Sequence, residues 1–159
     1  MSFTKAGISL PFSFVALAVL VLAAPPARAQ SPQSLPTVKL TAGMYAIQAE
    51  VASDMGARMV GLMHRASMPA NSGMLFIFDE SAIQCMWMKN TLIPLSVAFL
   101  DESGAIINVE DMKPQTEDSH CAKRPARYAL EMNRGWFSSH GIKPGQKLGG
   151  MERFRSGPQ

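Results

Sequence analysis

A chain of 159 residues is long enough for one domain with its own core and too short for two comfortable ones. Lys and Arg number 15 against 12 Asp and Glu. Lys5 and Arg28 lie in a leader-like N-terminus, and without them the balance is 13 against 12, a formal charge of +1. Asp101, Glu102, Glu110 and Asp111 break up the remaining positive clusters, which excludes the broad basic field of a nucleic-acid binder.

The N-terminus reads as an export signal. Lys5 supplies a positive region, Phe12 to Ala24 is apolar apart from Ser13, and Ala27-Arg28-Ala29 before Gln30 fits a small-x-small cleavage site. The apolar run is shorter than the ~20 residues that span a bilayer. Residues 1–29 are therefore expected to be a cleaved signal peptide, and the product to be periplasmic or secreted with no stable membrane insertion. Residues 30–37 read as a disordered tether, 38–154 as a single domain and 155–159 as a flexible tail. In an oxidising compartment the two cysteines, Cys85 and Cys121, favour one intrachain bridge, worth roughly 3–4 kcal/mol for a loop of that length.

Within the domain, Tyr45, Ile47, Ala49 and Val51 alternate with Ala46, Gln48 and Glu50, the pattern of a half-buried strand. Ser53 is placed to cap a short helix. Met55, Met59, Leu62 and Met63 fall at helical spacing on one face, and Asp54 stands four residues before Arg58 as an ion-pair partner. His64 to Ser72 reads as a loop. In Gly73 to Asp79, Met74, Phe76 and Phe78 face one way and Leu75 and Ile77 the other, so this strand is expected to be central and covered on both sides. Glu80 to Gln84 reads as a turn. From Cys85 to Asn90, Cys85, Trp87 and Lys89 alternate with Met86, Met88 and Asn90, and Pro94 ends or bulges that strand. Leu95 to Asp101 and Ala105 to Glu110 form a hairpin about Glu102-Ser103-Gly104. Lys113 to Pro125 is a polar excursion that Cys121 would pin back. Arg127 to Met132 resumes alternation, with Tyr128, Leu130 and Met132 inward and Arg127 and Glu131 opposite. Arg134 to His140 suits one or two helical turns, and Lys147 to Phe154 a last edge strand.

These elements make a mainly β, β-rich α+β architecture, an antiparallel sandwich or partly open barrel with one or two short peripheral helices. Short hairpin spacings disfavour parallel crossovers.

The common catalytic signatures are absent from the sequence, including a phosphate-cradling glycine loop, GxSxG, HExxH and CxxC. The sharper candidate is the polar-aromatic cluster Trp87, Lys89 and Asn90, an indole, an ammonium and an amide at a strand end, with Glu131 as a partner for Lys89 or Arg65. The structural alternative is that Trp87 fills the core, Asn90-Thr91 makes a turn and Lys89 satisfies strand-end carbonyls. A second candidate uses the 11 methionines left after Met1, with Met86, Met88 and His64 as soft donors for Cu(I). The competing role for those methionines is filling irregular core gaps.

Several strings carry a family resemblance. They are Arg58-x-x-Gly61-Leu62-Met63-x-Arg65, Gly73-Met74-Leu75-Phe76, Trp87-Met88-Lys89-Asn90-Thr91-x-Ile93-Pro94-Leu95, and Tyr128-x-Leu130-Glu131 followed by Gly135, Gly141 and Gly145. Over residues 38–152 the chain resembles the uncharacterised bacterial and archaeal family called domain of unknown function 192. The resemblance implies a compact, mainly β domain, commonly exported, without an established activity, cofactor or substrate. The family pattern carries an aspartate after Ile-Pro-Leu where this chain has Ser96, so any chemistry of that carboxylate in relatives is lost here.

The sequence reading is a non-catalytic exported binding or accessory module. Its site is built from Arg65, Trp87, Lys89, Asn90 and Glu131, its partner is a small polar ligand or envelope component, and it needs no cofactor. The enzyme alternative is a cell-envelope hydrolase or transferase with Glu131 as general base and Lys89 or Arg65 stabilising negative charge.

Overall fold

The computed structural model describes residues 31–155. The expected signal peptide and most of the expected tail lie outside them. The strands are β1 (Thr37–Ala42), β2 (Tyr45–Ala52), β3 (Ser72–Ala82), β4 (Cys85–Met86), β5 (Leu95–Leu100), β6 (Ile106–Met112), β7 (His120–Cys121), β8 (Ala126–Asn133) and β9 (Leu148–Gly149). Two short helices, α1 (Met55–Val60) and α2 (Trp136–Ser139), and a 3-10 turn (Met151–Phe154) complete the described chain.

One seven-stranded sheet runs in the order β6-β5-β8-β3-β2-β1-β9, and β4 and β7 make a small separate ribbon. All pairings are antiparallel except β2 with β3, which are parallel from Gln48↔Ser72 to Ala52↔Phe76. That pair departs from the expectation drawn from hairpin spacing. The connection from Ala52 to Ser72 carries α1 and is long enough for a crossover, which hairpin-length arguments do not see. The sheet curls until its edges meet. Ala105 before β6 bridges Lys147 before β9, and Leu148 N–H donates to the Gly104 carbonyl at 3.0 Å. The result is a partly closed barrel, one of the two architectures the alternation allowed.

Pleating sorts the apolar residues into two layers. Leu40, Ile47, Leu75, Leu100, Tyr128 and Leu130 fill the inside of the curl. Met74, Phe76, Val97, Phe99 and Ala129 point outward, where Ala57, Leu62, Met88, Ile93 and Ala122 cover them. β3 is therefore buried on both faces over its first half, as its double apolar pattern requires. Gly73 is needed where β3 crosses β8. A Cβ there would stand 2.4 Å from both the Glu131 carbonyl oxygen and Met132 Sδ. Gly73→Ala is expected to force the two central strands apart and cost about 2 kcal/mol by overpacking, read as a lower urea midpoint at unchanged slope.

The local corrections have simple causes. Asp54, not Ser53, caps α1, its carboxylate accepting from Ala57 N–H at 2.9 Å. Arg58 is consequently free of Asp54. It donates instead to Asp79 at 2.7 Å and to the carbonyls of Ser53 and Ile77. The strand β3 continues through Glu80 to Ala82, beyond the expected turn, because it changes register against β8 between Ile77 and Ala82. After β4 the chain leaves strand geometry, and Lys147 to Phe154 supplies two strand residues and a 3-10 turn. Cys85 and Cys121 face each other across β4 and β7 and are bridged. No helix of the described residues is long and apolar enough to cross a membrane.

Candidate functional site

The site begins where β4 stops. Met88 turns inward and is fully buried, its N–H donating to the Thr116 carbonyl at 3.0 Å. Thr91 N–H closes a turn on the Met88 carbonyl, with Asn90 in the left-handed region at φ 54°. The Asn90 carbonyl accepts from His64 N–H at 2.9 Å, stitching this turn to the loop after α1. Because Met88 is inside, the flanking Trp87 is thrown outward and stays 45 % exposed. Lys89 Nζ lies 5.3 Å from the Trp87 ring centroid and 3.4 Å from a Glu117 carboxylate oxygen. At these exposed positions the two contacts are worth about 0.5–1 kcal/mol each.

Glu131 lies beneath. Alternation along β8 points it to the outer layer with Ala129, between Met74 of β3 and Val97 of β5. That layer is covered, so Glu131 is only 3 % exposed. The sequence reading had it opposite the core; it is opposite the inner core and inside the outer one. Among the described residues no hydrogen bond or ion pair reaches its carboxyl, and burial pushes its pKa up to about 8. At neutral pH it is therefore a protonated acid with a hydrogen to donate. It borders an inner cavity of about 20 Å³ together with Trp87, Thr91, Met59 and Met86, which is room for about one water molecule.

This cavity lies against a larger groove of about 550 Å³ between α1, the outer end of β3 and residues 84–87. The two spaces share Arg58, Met59, Phe76, Met86 and Trp87 in their walls. Met55 and Met59, which helical spacing puts on one apolar face of α1, are 69 % and 67 % exposed and line the groove. The buried residue of α1 is Ala57. The signal that would have placed them is the small pair Ala57 and Gly61, four residues apart, which mark the face lying close on the sheet and leave the methionines outside.

Of the five residues proposed from the sequence, the structure brings Trp87 and Glu131 to one cavity and places Lys89 over the outer indole. Asn90 makes the turn. Arg65 goes elsewhere: its guanidinium donates to Glu50 at 2.6 and 2.8 Å and to the Gln33 carbonyl at 2.7 Å. Lys89 is paired with Glu117 and Arg65 with Glu50, so the pairings of Glu131 with either, which the sequence left open, do not form. For the soft-metal set, Met88 is sealed in the core, while Met86 borders the groove. Ser96 lies apart from both spaces. Its hydroxyl donates to Asp111 at 2.5 Å and accepts from Gly135 N–H at 2.8 Å. An aspartate there would set a second carboxylate against Asp111, so the serine is matched to this chain's own neighbour.

Residues 38–150 match the DUF192 family, described as "Uncharacterized ACR". The chain belongs to the DUF192 family. No curated protein matches it. Two solved structures are similar to it in fold and sequence. One is a candidate transcription regulator from Sinorhizobium meliloti 1021, 34 % identical, with a TM-score of 0.69, covering 74 % of this chain and 96 % of its own. The other is a protein of unknown function from Novosphingobium aromaticivorans DSM 12444, 29 % identical, with a TM-score of 0.69, covering 76 % of this chain and 93 % of its own.

Proposed function

We propose that this DUF192 protein is an exported, non-catalytic binding module whose site is the groove between α1, β3 and β4, with Glu131 at its inner end. The observation that carries this reading is a carboxylic acid with no side-chain partner, in a residue only 3 % exposed, that borders a small cavity beside an apolar groove. An unpaired buried polar group costs free energy, and a ligand acceptor reaching it recovers that cost. Trp87, Phe76 and the three methionines supply the apolar wall, and Glu131 supplies one donor. This combination fits a small molecule with an apolar body and a hydrogen-bond acceptor such as an amide carbonyl. The Cys85–Cys121 bridge supports export, because such bridges persist in oxidising compartments. The separate pairings of Lys89 and Arg65 favour binding over the hydrolase reading, which requires one of those charges beside Glu131.

Trp87 is the reporter, since the other tryptophan, Trp136, is buried. Titration with a series of N-alkyl acetamides is expected to quench or shift Trp87 emission saturably. Affinity should rise with chain length by up to about 0.8 kcal/mol per methylene, and Glu131→Leu should lose about tenfold at every length. A response without saturation, or equal affinities in the Leu variant, would refute the site.

A further inference from the structure

Three thioethers line the same groove. Met55 and Met59 stand one turn apart on α1 with their side chains largely in solvent, and Met86 borders the same space from β4. We infer that Met55, Met59 and Met86 form a binding site for a soft monovalent d¹⁰ cation, Cu(I) or its surrogate Ag(I), roofed in part by the Trp87 indole.

Four observations select that class of ligand. First, all three residues carry sulfur where leucine would give an equal apolar wall, and two of them are exposed well beyond what core filling requires. Second, the charged side chains of the groove are Arg58, Asp79 and Glu80. Arg58 is already neutralised by Asp79 at 2.7 Å, so the surplus is one carboxylate, which attracts a cation and repels an anion. Third, among the described residues no three His, Cys, Asp or Glu side chains gather as a metal-binding group. A hard or borderline divalent ion therefore finds no oxygen, imidazole or thiolate set there. Thioethers, in contrast, favour Cu(I) over the hard divalent ions. Cys85 borders the groove but is held in the disulfide with Cys121, so its sulfur offers no thiolate. Fourth, the Trp87 ring already holds one cation, the Lys89 ammonium at 5.3 Å from its centroid, and it also borders the groove. An electron-rich ring in the same wall as the thioethers stabilises a weakly hydrated cation.

This site differs from the set chosen from sequence alone. It keeps Met86, leaves Met88 in the core, and recruits Met55 and Met59 in place of His64. It shares a groove with the proposed amide site but does not use Glu131, so each reading can fail without the other.

The test is anaerobic competition of the purified protein with bicinchoninate for Cu(I), repeated with Ag(I) and with Zn(II). One equivalent of Cu(I) or Ag(I) is expected to bind, with quenching of Trp87 emission and without Zn(II) uptake. Met55→Leu, Met59→Leu and Met86→Leu together keep the volume and the apolar character, so melting should change little. Cu(I) affinity should fall at least 100-fold, and each single change should cause a smaller loss. Glu131→Leu, outside the thioether set, should leave Cu(I) affinity unchanged. Absence of stoichiometric Cu(I) binding, or affinity unchanged in the triple variant, would overturn the inference. Loss of amide binding alone in Glu131→Leu would leave it standing.

Discussion

Glu131→Gln is expected to remove most of the fall in stability that this protein shows between pH 4.5 and pH 8. In the unfolded chain the carboxyl releases its proton near the ordinary value of 4.5, whereas burial holds it to about 8 in the fold. Between those values the folded state binds the extra proton, so stability declines as pH rises and levels off above about 8. The interval corresponds to on the order of 5 kcal/mol if the whole difference is realised. The charged side chain bordering the same cavity is Arg58, occupied by Asp79; the strand neighbours Met74 and Val97 carry none. Glutamine copies the shape of the protonated acid and cannot ionise. At pH 5 the two proteins should therefore unfold within about 1 kcal/mol of each other, and at pH 9 the variant should be several kcal/mol more stable. Urea titrations at pH 5, 7 and 9 measure the difference directly. Depressed carboxyls such as Glu50 and Asp101 act at lower pH and cancel between the two proteins. Parallel stability profiles would mean that water or a rearranged partner keeps Glu131 ordinary.

The second large effect is expected at Arg65. Its guanidinium joins Glu50 on β2 to the Gln33 carbonyl, while Leu35 N–H donates to the same carboxylate at 2.9 Å. Both side chains of the ion pair are about 15 % exposed. Burial works to raise the Glu50 carboxyl, but the hydrogen bonds from Arg65 and Leu35 and the Arg65 charge outweigh it and hold it below the carboxylate range. That contribution is present above the unfolded value and is lost as pH falls through the folded one. Arg65→Met keeps the stem and strands the carboxylate, at a cost of about 2–4 kcal/mol near pH 7. The deficit should shrink as pH falls, because without Arg65 burial raises the Glu50 carboxyl and it protonates earlier in the variant than in the native protein. Pairing the change with Glu50→Gln should recover much of the loss, because no charge is then left without a partner. A deficit independent of pH would assign the effect to lost packing of the arginine stem.

The frame of the molecule was written in two short runs. The doubly apolar Met74 to Phe78 identifies a strand covered on both faces, and the alternation through Tyr128, Leu130 and Met132 orients its neighbour. What periodicity does not carry is the identity of the cover. The outer layer is built from α1 and irregular segments, so Glu131 reads as a solvent-side residue in β8 when that side is roofed. The parallel pairing of β2 with β3 is likewise a long-range choice, set by where α1 can pack and invisible in either strand. Trp87 and Met88 show the limit within a single dipeptide. Their alternation is plain, but which of two large apolar residues goes inside depends on the turn at Asn90 and the bond to Thr116. Met55 and Met59 follow the same logic, since helical spacing reveals a stripe and not the side to which it points.

The closure of the curled sheet depends on very little chain. Two residues of β9, the bridge at Lys147, and the bonds from Tyr128 to the Phe154 carbonyl and from Arg155 to the Ser103 carbonyl hold the seam. They work as a clasp fastened late in the described chain. Unfastened, the ends of β1 and β6 at Thr41, Ala42 and Ile106 lose their partners, and the free edges lengthen into templates for strands of other molecules. A loss of a few C-terminal contacts thus trades a self-contained barrel for one prone to self-association, while the central strands around Glu131 stay intact.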